Sequence, residues 1–433
     1  EEVLAALTAC IDETLAARAA DPALSAQPIA AVGTSCFWHS LVGVDVDGDP
    51  LTPIVTWADS RCRVDAEGLR RRLDEHATHA RTGCMLRASF WPAKLRWLAR
   101  TQAKTFARVA WWLSPAEWLY LRLLGLRPEQ GRCAHGMASA TGLYDPAKRS
   151  WDPGLLRTCR VRASQLPSVG DDPLPGDHGR FRELATAAWI PAIGDGAANN
   201  LGAGATKPGT AAINFGTSGA VRVLRHGGVP RAPYGLFCYR VDAQRFLIGG
   251  AISNAGGLRA WCLEHLRLPE GEALEQAMAA RPGPAHGLRV LPFWMAERAP
   301  TWREDLVGAV DGIRQATSAL DLYQAITEAT YHRLAIIIER IPGDTRRLRF
   351  LVGGGIQKSP SAFQRLADVT GRTLVACDEP ETSLRGAAVL ALEHLGRRPA
   401  AIGGRVVRPR ARWAKAYANE RKRLADLERA LYG

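Results

Sequence analysis

Three stretches decide the fold of this 433-residue chain: AAWIPAIGDG at 187–196, TAAINFGTSG at 210–219 and LRFLVGGG at 348–355. Each is an apolar run that breaks at glycine, the pattern of a strand handing over to a glycine turn. A turn without side chains leaves its backbone N–H groups open, so repeated endings of this kind point to a ligand site. Downstream of the third run come a helix over 361–370, a strand over 373–377, and Ser383 as the N-cap of a helix over 384–395 that closes at Gly396. Strands alternating with helices give an α/β architecture.

Outward from these runs, the Ala203-Gly204-Ala205-Thr206-Lys207-Pro208-Gly209 stretch is the best internal boundary and divides the chain into 1–205 and 206–433. Upstream, Val3, Leu7, Cys10 and Thr14 share a helical face ahead of an apolar strand over 29–32 that ends at Gly33. Runs 41–46 and 51–57, separated by Asp47-Gly48-Asp49-Pro50, predict a hairpin. Helices are expected over 65–76 and 93–100, and Ser114-Pro115-Ala116-Glu117 has the capping-box spacing ahead of 118–124. From about residue 410 the chain is basic, yet Trp413, Tyr417, Leu424, Leu427 and Leu431 recur at near-helical spacing. That pattern predicts an amphipathic helix docked on its own protein rather than a nucleic-acid arm.

Composition narrows the function classes. Hydrophobic residues make up 47% and charged residues 23%, with a mean hydropathy of −0.12, which excludes a disordered or collagenous chain. No run of about 18 apolar residues is present, so no membrane-spanning helix is expected. The balance of 56 Lys and Arg against 43 Asp and Glu gives +13, compatible with an anionic ligand but mostly spread as solvated arginine. Nine cysteines without a Cys-x-x-Cys pair argue against a disulfide framework or a zinc site and for a reducing cytoplasm.

Neither a Walker loop nor a Gly-x-Gly-x-x-Gly turn is present, so another phosphate cradle is needed. Gly216-Thr217-Ser218-Gly219 offers close-spaced N–H donors and two hydroxyls, as a phosphate requires, although a plain hairpin turn accounts for it as well. Gly353-Gly354-Gly355, between a strand and a helix, lets a flat or anionic ligand approach the backbone, or else serves packing alone. Asp195 between Gly194 and Gly196 is a carboxylate held at a strand end with open space on both sides, suited to a general base or to a simple turn. Trp38-His39 and Trp57-Ala58-Asp59 supply aromatic faces and hydrogen-bonding groups for a polyol, or two core tryptophans. His76 and His79 have helical spacing without a third ligand, which favours a solvated face over a metal site.

Taken in order, these segments resemble the FGGY carbohydrate kinases, and within them the gluconokinase-like branch. The resemblance rests on Gly33-Thr34-Ser35-Cys36-Phe37-Trp38-His39-Ser40, Trp57-Ala58-Asp59-Ser60-Arg61, Lys94-Leu95-Arg96-Trp97-Leu98, Gly194-Asp195-Gly196 with Asn199, Gly216 to Gly219 and Gly353 to Gly355. It also rests on Gly308-Ala309-Val310-Asp311-Gly312-Ile313 followed by Asp321-Leu322 and Ala325-Ile326, with Thr327 replacing a larger apolar residue. Phe237-Cys238-Tyr239-Arg240 and Trp38-His39 resemble the gluconate branch in particular.

The resemblance implies two ribonuclease-H-like domains of the actin/hexokinase type, with sugar and ATP meeting in the cleft between them. It implies Asp195 as the base, also reaching magnesium through water, and Trp38, His39, Asp59, Lys94, Asn199 and Arg240 around the sugar. Gly216, Thr217, Ser218, Gly219, Gly308, Gly312, Gly353, Gly354, Gly355 and Ser359 would face ATP and its Mg2+. A substrate carboxylate needs a positive partner, for which Lys94, Arg240 and His39 are the candidates. The expected partner is a sugar or sugar acid, with no nucleic acid and no membrane, and a homodimer is the candidate assembly. Family members begin with a strand and an Asp-x-Gly-Thr turn ahead of the helix that here contains Glu1, so the first domain is expected to be incomplete at its N-terminus. Residues 1–433 alone are then expected to bind ATP weakly without transfer. A kinase of another pentulose or polyol, and a sugar-binding pseudokinase, are the rival readings.

Overall fold

The computed structural model describes residues 1–175 and 180–433. Its second half is built on a seven-stranded sheet ordered Phe237–Arg240, Arg245–Ile252, Gly219–His226, Thr210–Phe215, Arg349–Gly353, Leu374–Cys377, Gly404–Val407. Thr210–Phe215 runs parallel to Arg349–Gly353 with Asn214 opposite Gly353, so two of the glycine turns read from sequence emerge side by side at one sheet edge. On its other flank Thr210–Phe215 turns back antiparallel into Gly219–His226. Parallel strands ending together beside a reversal of direction create a crevice, where ligands of open α/β sheets bind.

Helices Ala319–Arg340 and Pro360–Thr370 cover this sheet through a core that includes Ile213, Val221, Phe350 and Phe363. The C-terminal helix, Ala411–Tyr432, docks on them as its apolar stripe predicts. Tyr417 is buried, donates to Glu328 Oε1 at 2.9 Å and accepts from Arg365 Nη1 at 3.1 Å. Arg410 pairs with the buried carboxylate of Asp368, so part of the basic tail is spent inside the protein.

The first half carries short paired strands. Ala31–Val32 lies parallel to Ala188–Trp189, and Ser35–Cys36 lies parallel to Ile193–Gly194. The hairpin expected over 41–57 is reduced to two isolated bridges, Leu41 with Val55 and Val44 with Pro50. Val42–Val44 gives its ladder to Trp111–Leu113 instead, and the Asp45 side chain takes the N–H groups of Asp47 and Asp49. The opening helix, Glu2–Ala20, presents Leu4, Leu7, Ile11 and Leu15 to the core, a face displaced from the expected Val3, Cys10 and Thr14. Ser114 and Glu117 form the expected capping box, with the Ser114 N–H donating to Glu117 Oε2 at 2.7 Å. All nine cysteines are free thiols. Among the described residues no helix is long and apolar enough to cross a membrane.

A helix crossing made of small residues joins the halves. Asp195–Gly202 meets Thr382–His394 so closely that a Cβ on Gly202 would lie 1.7 Å from the Thr382 carbonyl oxygen, and one on Gly386 1.8 Å from that of Ala198. The second helix begins at Thr382, so Ser383 is inside it and not its cap; its hydroxyl reaches the Asp195 carbonyl at 3.4 Å. Both contacts are to backbone, which cannot rotate away. Gly202→Ala or Gly386→Ala is therefore expected to destabilise by about 1–3 kcal/mol or more in denaturant unfolding. Gly228→Ala, with nothing within 4 Å of its new methyl, should stay within about 0.5 kcal/mol. Equal effects at all three positions would refute the crossing.

Candidate active site

Asp195 begins the Asp195–Gly202 helix, where a carboxylate is favoured by the unpaired N–H groups of the first turn. It is exposed to a cavity of about 160 Å³ lined by Trp38, His39, Trp57, Ser218, Tyr239 and Trp302 among others. The glycines on either side of it are not open space, as their sequence suggested. A Cβ on Gly194 would sit 1.7 Å from Trp38 Nε1, and one on Gly196 2.7 Å from Arg222 Nε and 2.4 Å from Trp38 Cζ3. Two side chains thus lie against the backbone around Asp195 and fix where its carboxylate emerges.

The Gly216-Thr217-Ser218-Gly219 turn is a wall between two cavities. Ser218 and Gly219 line the Asp195 side. Phe215, Gly216 and Thr217 line a second cavity of about 370 Å³ with Gly256, Gly257, Arg259, Thr327, Tyr331, Gly355 and Ser359. The turn is held in place by Gly256 N–H donating to Gly216 O at 2.8 Å and Gly257 N–H donating to Thr217 O at 3.0 Å. Of the triple glycine, Gly355 opens on this cavity with nothing within 4 Å of where a Cβ would stand, while Gly354 has φ +96° and lies against Phe215 O. Gly353 packs beside Thr382. Ser359 caps Pro360–Thr370 through Ala362 N–H and hydrogen-bonds Glu275. Gly308 packs against the Trp294 ring and Gly312 adopts φ +89° beside Gly287 O; neither lines the two cavities.

Several residues expected around the sugar have other partners. Strand alternation decides Arg240: Phe237 and Tyr239 face the cleft, whereas Arg240 points to the opposite side, donating to Pro146 O at 2.8 Å and Ala243 O at 2.8 Å. Lys94 is buried beneath the cleft and donates to the carbonyls of His39, at 2.6 Å, and Ser89; burial pushes its ammonium down to about 7. Asp59 is paired with Arg61, which holds its carboxyl below the usual range. Asn199 donates to Thr382 Oγ1 at 2.7 Å across the helix crossing. His39 does line the cleft, in a left-handed conformation with φ 66°. Its Nδ1 donates to Ala140 O, which leaves Nε2 as an acceptor. The cleft cations that sequence reasoning missed are Arg222 and Arg298.

Among the described residues no three His, Cys, Asp or Glu side chains converge as a metal cage. A divalent ion here would be held mainly by a ligand's own phosphates, as magnesium commonly is, with Asp195 the one carboxylate among the described residues lining the cleft.

Burial, with smaller contributions from the Lys94 and Arg298 charges, pushes the His39 imidazole down to about 3 from an ordinary 6.5. The unfolded chain therefore binds a proton at this site between those values that the folded chain does not, and stability falls as pH drops through 6.5. His39→Gln should lose less thermal stability between pH 7 and pH 5 than the parent does. An unchanged difference in melting temperature would show that His39 does not carry this dependence.

The comparisons with known proteins agree with this geometry. The N-terminal domain of the FGGY family of carbohydrate kinases matches residues 1–171, and the C-terminal domain matches residues 211–393. The chain is 25% identical over 392 residues to a gluconokinase of Bacillus subtilis (strain 168), spanning 85% of this chain and 75% of that one. It is 28% identical over 387 residues to a glycerol kinase of Alcanivorax borkumensis, spanning 85% and 76%. The fold superposes on a ligand-bound xylulose kinase from Lactobacillus acidophilus with a TM-score of 0.86 and 24% identity, covering 94% of this chain and 85% of that one. With both domains of the family matched in order around a cleft that holds Asp195 and the glycine turn, the chain belongs to the FGGY family of carbohydrate kinases, enzymes that transfer phosphate to an alcohol group.

Proposed function

We propose that this chain is an ATP-dependent kinase that phosphorylates the terminal hydroxyl of a sugar acid, D-gluconate being the best candidate. The observation that supports this most is the wall at 216–219, with Asp195 on one side and a nucleotide-sized cavity on the other. In this reading residues 206–433 supply the nucleotide side, and the sugar side is shared between Trp38, His39, Trp57 and Asp195 of 1–205 and Arg222, Tyr239 and Trp302 of 206–433. The similarity to a gluconokinase favours the sugar acid.

The chemistry then assigns each residue a task. Asp195 accepts the proton of the substrate hydroxyl as its oxygen bonds to the γ-phosphorus, and the bond to the β-γ bridging oxygen breaks to release ADP. The Thr217 N–H and hydroxyl receive the phosphate oxygens, and the backbone at Gly355 and the cavity beside Tyr331 take the rest of the nucleotide. Magnesium bound with those phosphates would offset their charge. Trp38, Tyr239, Trp57 and Trp302 pack the carbon chain and keep water out, and His39 Nε2 accepts a hydrogen bond from a substrate hydroxyl. Such transfer depends on positioning more than on covalent chemistry.

Asp195→Asn should reduce kcat by about 10²–10⁴-fold with little change in gluconate affinity, since only the proton acceptor is removed. The assay is ADP release from ATP in the presence of D-gluconate. Near-parental turnover would remove Asp195 from the mechanism. Across D-gluconate, D-xylulose and glycerol, kcat/KM is expected to be highest for gluconate; a clear preference for a neutral substrate would overturn the sugar-acid reading while leaving the kinase standing.

A further inference from the structure

Arg222 is a guanidinium with unmet hydrogen-bonding capacity in the substrate cavity. Its Nε and Nη1 atoms are buried and have no hydrogen-bond partner among the described residues, although the side chain lines the cleft. A buried guanidinium normally has its donors satisfied, because leaving them bare costs a full desolvation penalty. Among the described residues no carboxylate lies within ion-pair reach of it, in contrast to Arg333 and Arg365, whose charges are matched by Glu297 and Glu328. Burial pushes Arg222 below its ordinary value, and Arg298, lining the same cavity, is pushed down to about 10 by burial and by the Arg222 charge. Two like charges share a small cavity whose described lining contains one acid, Asp195.

Position separates two uses of this charge. Gly219–His226 leaves the phosphate-side turn at Gly219, and three residues on, at roughly 3.3 Å each, Arg222 is about 10 Å further along the strand. Neither Arg222 nor Arg298 lines the nucleotide cavity. Arg298 is tied to Ile252 O at 3.0 Å, opposite Gly219, and sits over the Trp57 ring. Arg222 instead pairs across the sheet with Gly249 and lies against Gly196. The Arg222 backbone therefore sits beyond the phosphate wall, toward the end of the cavity where a linear substrate attacking through one terminus would place the other.

We infer that Arg222 is the residue that recognises the carboxylate of the substrate, and so sets the preference for a sugar acid over a neutral polyol. This deepens the proposed function and rests on it. It replaces Lys94, Arg240 and His39: the first two are engaged with backbone carbonyls, and the third is held neutral. A guanidinium with no acid partner of its own is matched by a carboxylate, which accepts charge-assisted hydrogen bonds from it.

The test is equilibrium binding of D-gluconate and of D-glucitol, its neutral six-carbon counterpart, to residues 1–433 by titration calorimetry, with ATP binding as the check on folding. The parent should bind gluconate more tightly than glucitol. Arg222→Gln should weaken gluconate by about 10–100-fold, to near the glucitol level, with glucitol and ATP unchanged. Arg222→Lys should recover part of the loss. A parental preference for gluconate that survives Arg222→Gln would overturn the assignment and leave the sugar-acid reading intact. A parent that does not distinguish the two ligands would instead sink that reading. Equal loss of both ligands with ATP binding retained would make Arg222 a support of the cavity, and loss of ATP binding as well would make it part of the fold; either result rejects the assignment.

Discussion

The site depends on a steric constraint: the volume that side chains at 194 and 196 would fill is already occupied by Trp38 and Arg222. Because those two positions are glycine, an aromatic floor and a guanidinium lie directly on the backbone that presents Asp195. The same principle operates nearly two turns later, where Gly202 and Gly386 let two helices meet backbone to backbone. Asp195 is thus held from both sides, by side chains at the start of its helix and by another helix along it. Any Cβ in this series displaces the carboxylate or separates the halves.

From that constraint follows the division of the cleft. The parallel register of Thr210–Phe215 with Arg349–Gly353 brings two glycine turns to one edge, and the reversal into Gly219–His226 makes the first turn a partition. One of its faces belongs to a small aromatic cavity with a carboxylate, the other to a larger cavity with open backbone. Tyr239, Trp38 and His39 pack edge to face around the first, with ring centroids 5.1 Å and 5.7 Å apart for Tyr239 with Trp38 and with His39. Aromatic walls of this kind are rigid and add little ordering cost when a ligand enters. In the proposed reading the two ligands meet where both cavities border the 216–219 turn, as phosphoryl transfer requires.

Much of this was legible in the sequence because it is local. Glycine turns after apolar runs, the Ser114 capping box and the stripe on the C-terminal helix are short-range patterns, and each occupies its expected place. What escaped was long-range or a matter of which face a strand presents. Arg222, between Val221 and Val223, reads as an ordinary solvent-facing position until the opposite face of Gly219–His226 is known to be the core. Arg240 was drawn to the site by its neighbours Phe237 and Tyr239, yet the strand's two-residue period turns it away from them. Arg298 and Trp302 come from a loop far in sequence from the other cleft residues, with no local signal. Lys94 and Asn199 do belong near the site, but as supports: one beneath His39, the other across the helix crossing. The direction of each side chain is set by tertiary packing, which local residue type and spacing do not carry.

The partition is the central claim, and a crystal structure of residues 1–433 with D-gluconate and a non-hydrolysable ATP analogue tests it most directly. The account predicts the nucleotide's phosphates against the N–H and hydroxyl of Thr217, a terminal gluconate hydroxyl within hydrogen-bond distance of the Asp195 carboxylate, and both ligands meeting at the 216–219 turn. A nucleotide lodged away from Gly355 and Tyr331, or a sugar acid bound outside the Trp38–Tyr239 cavity, would contradict it.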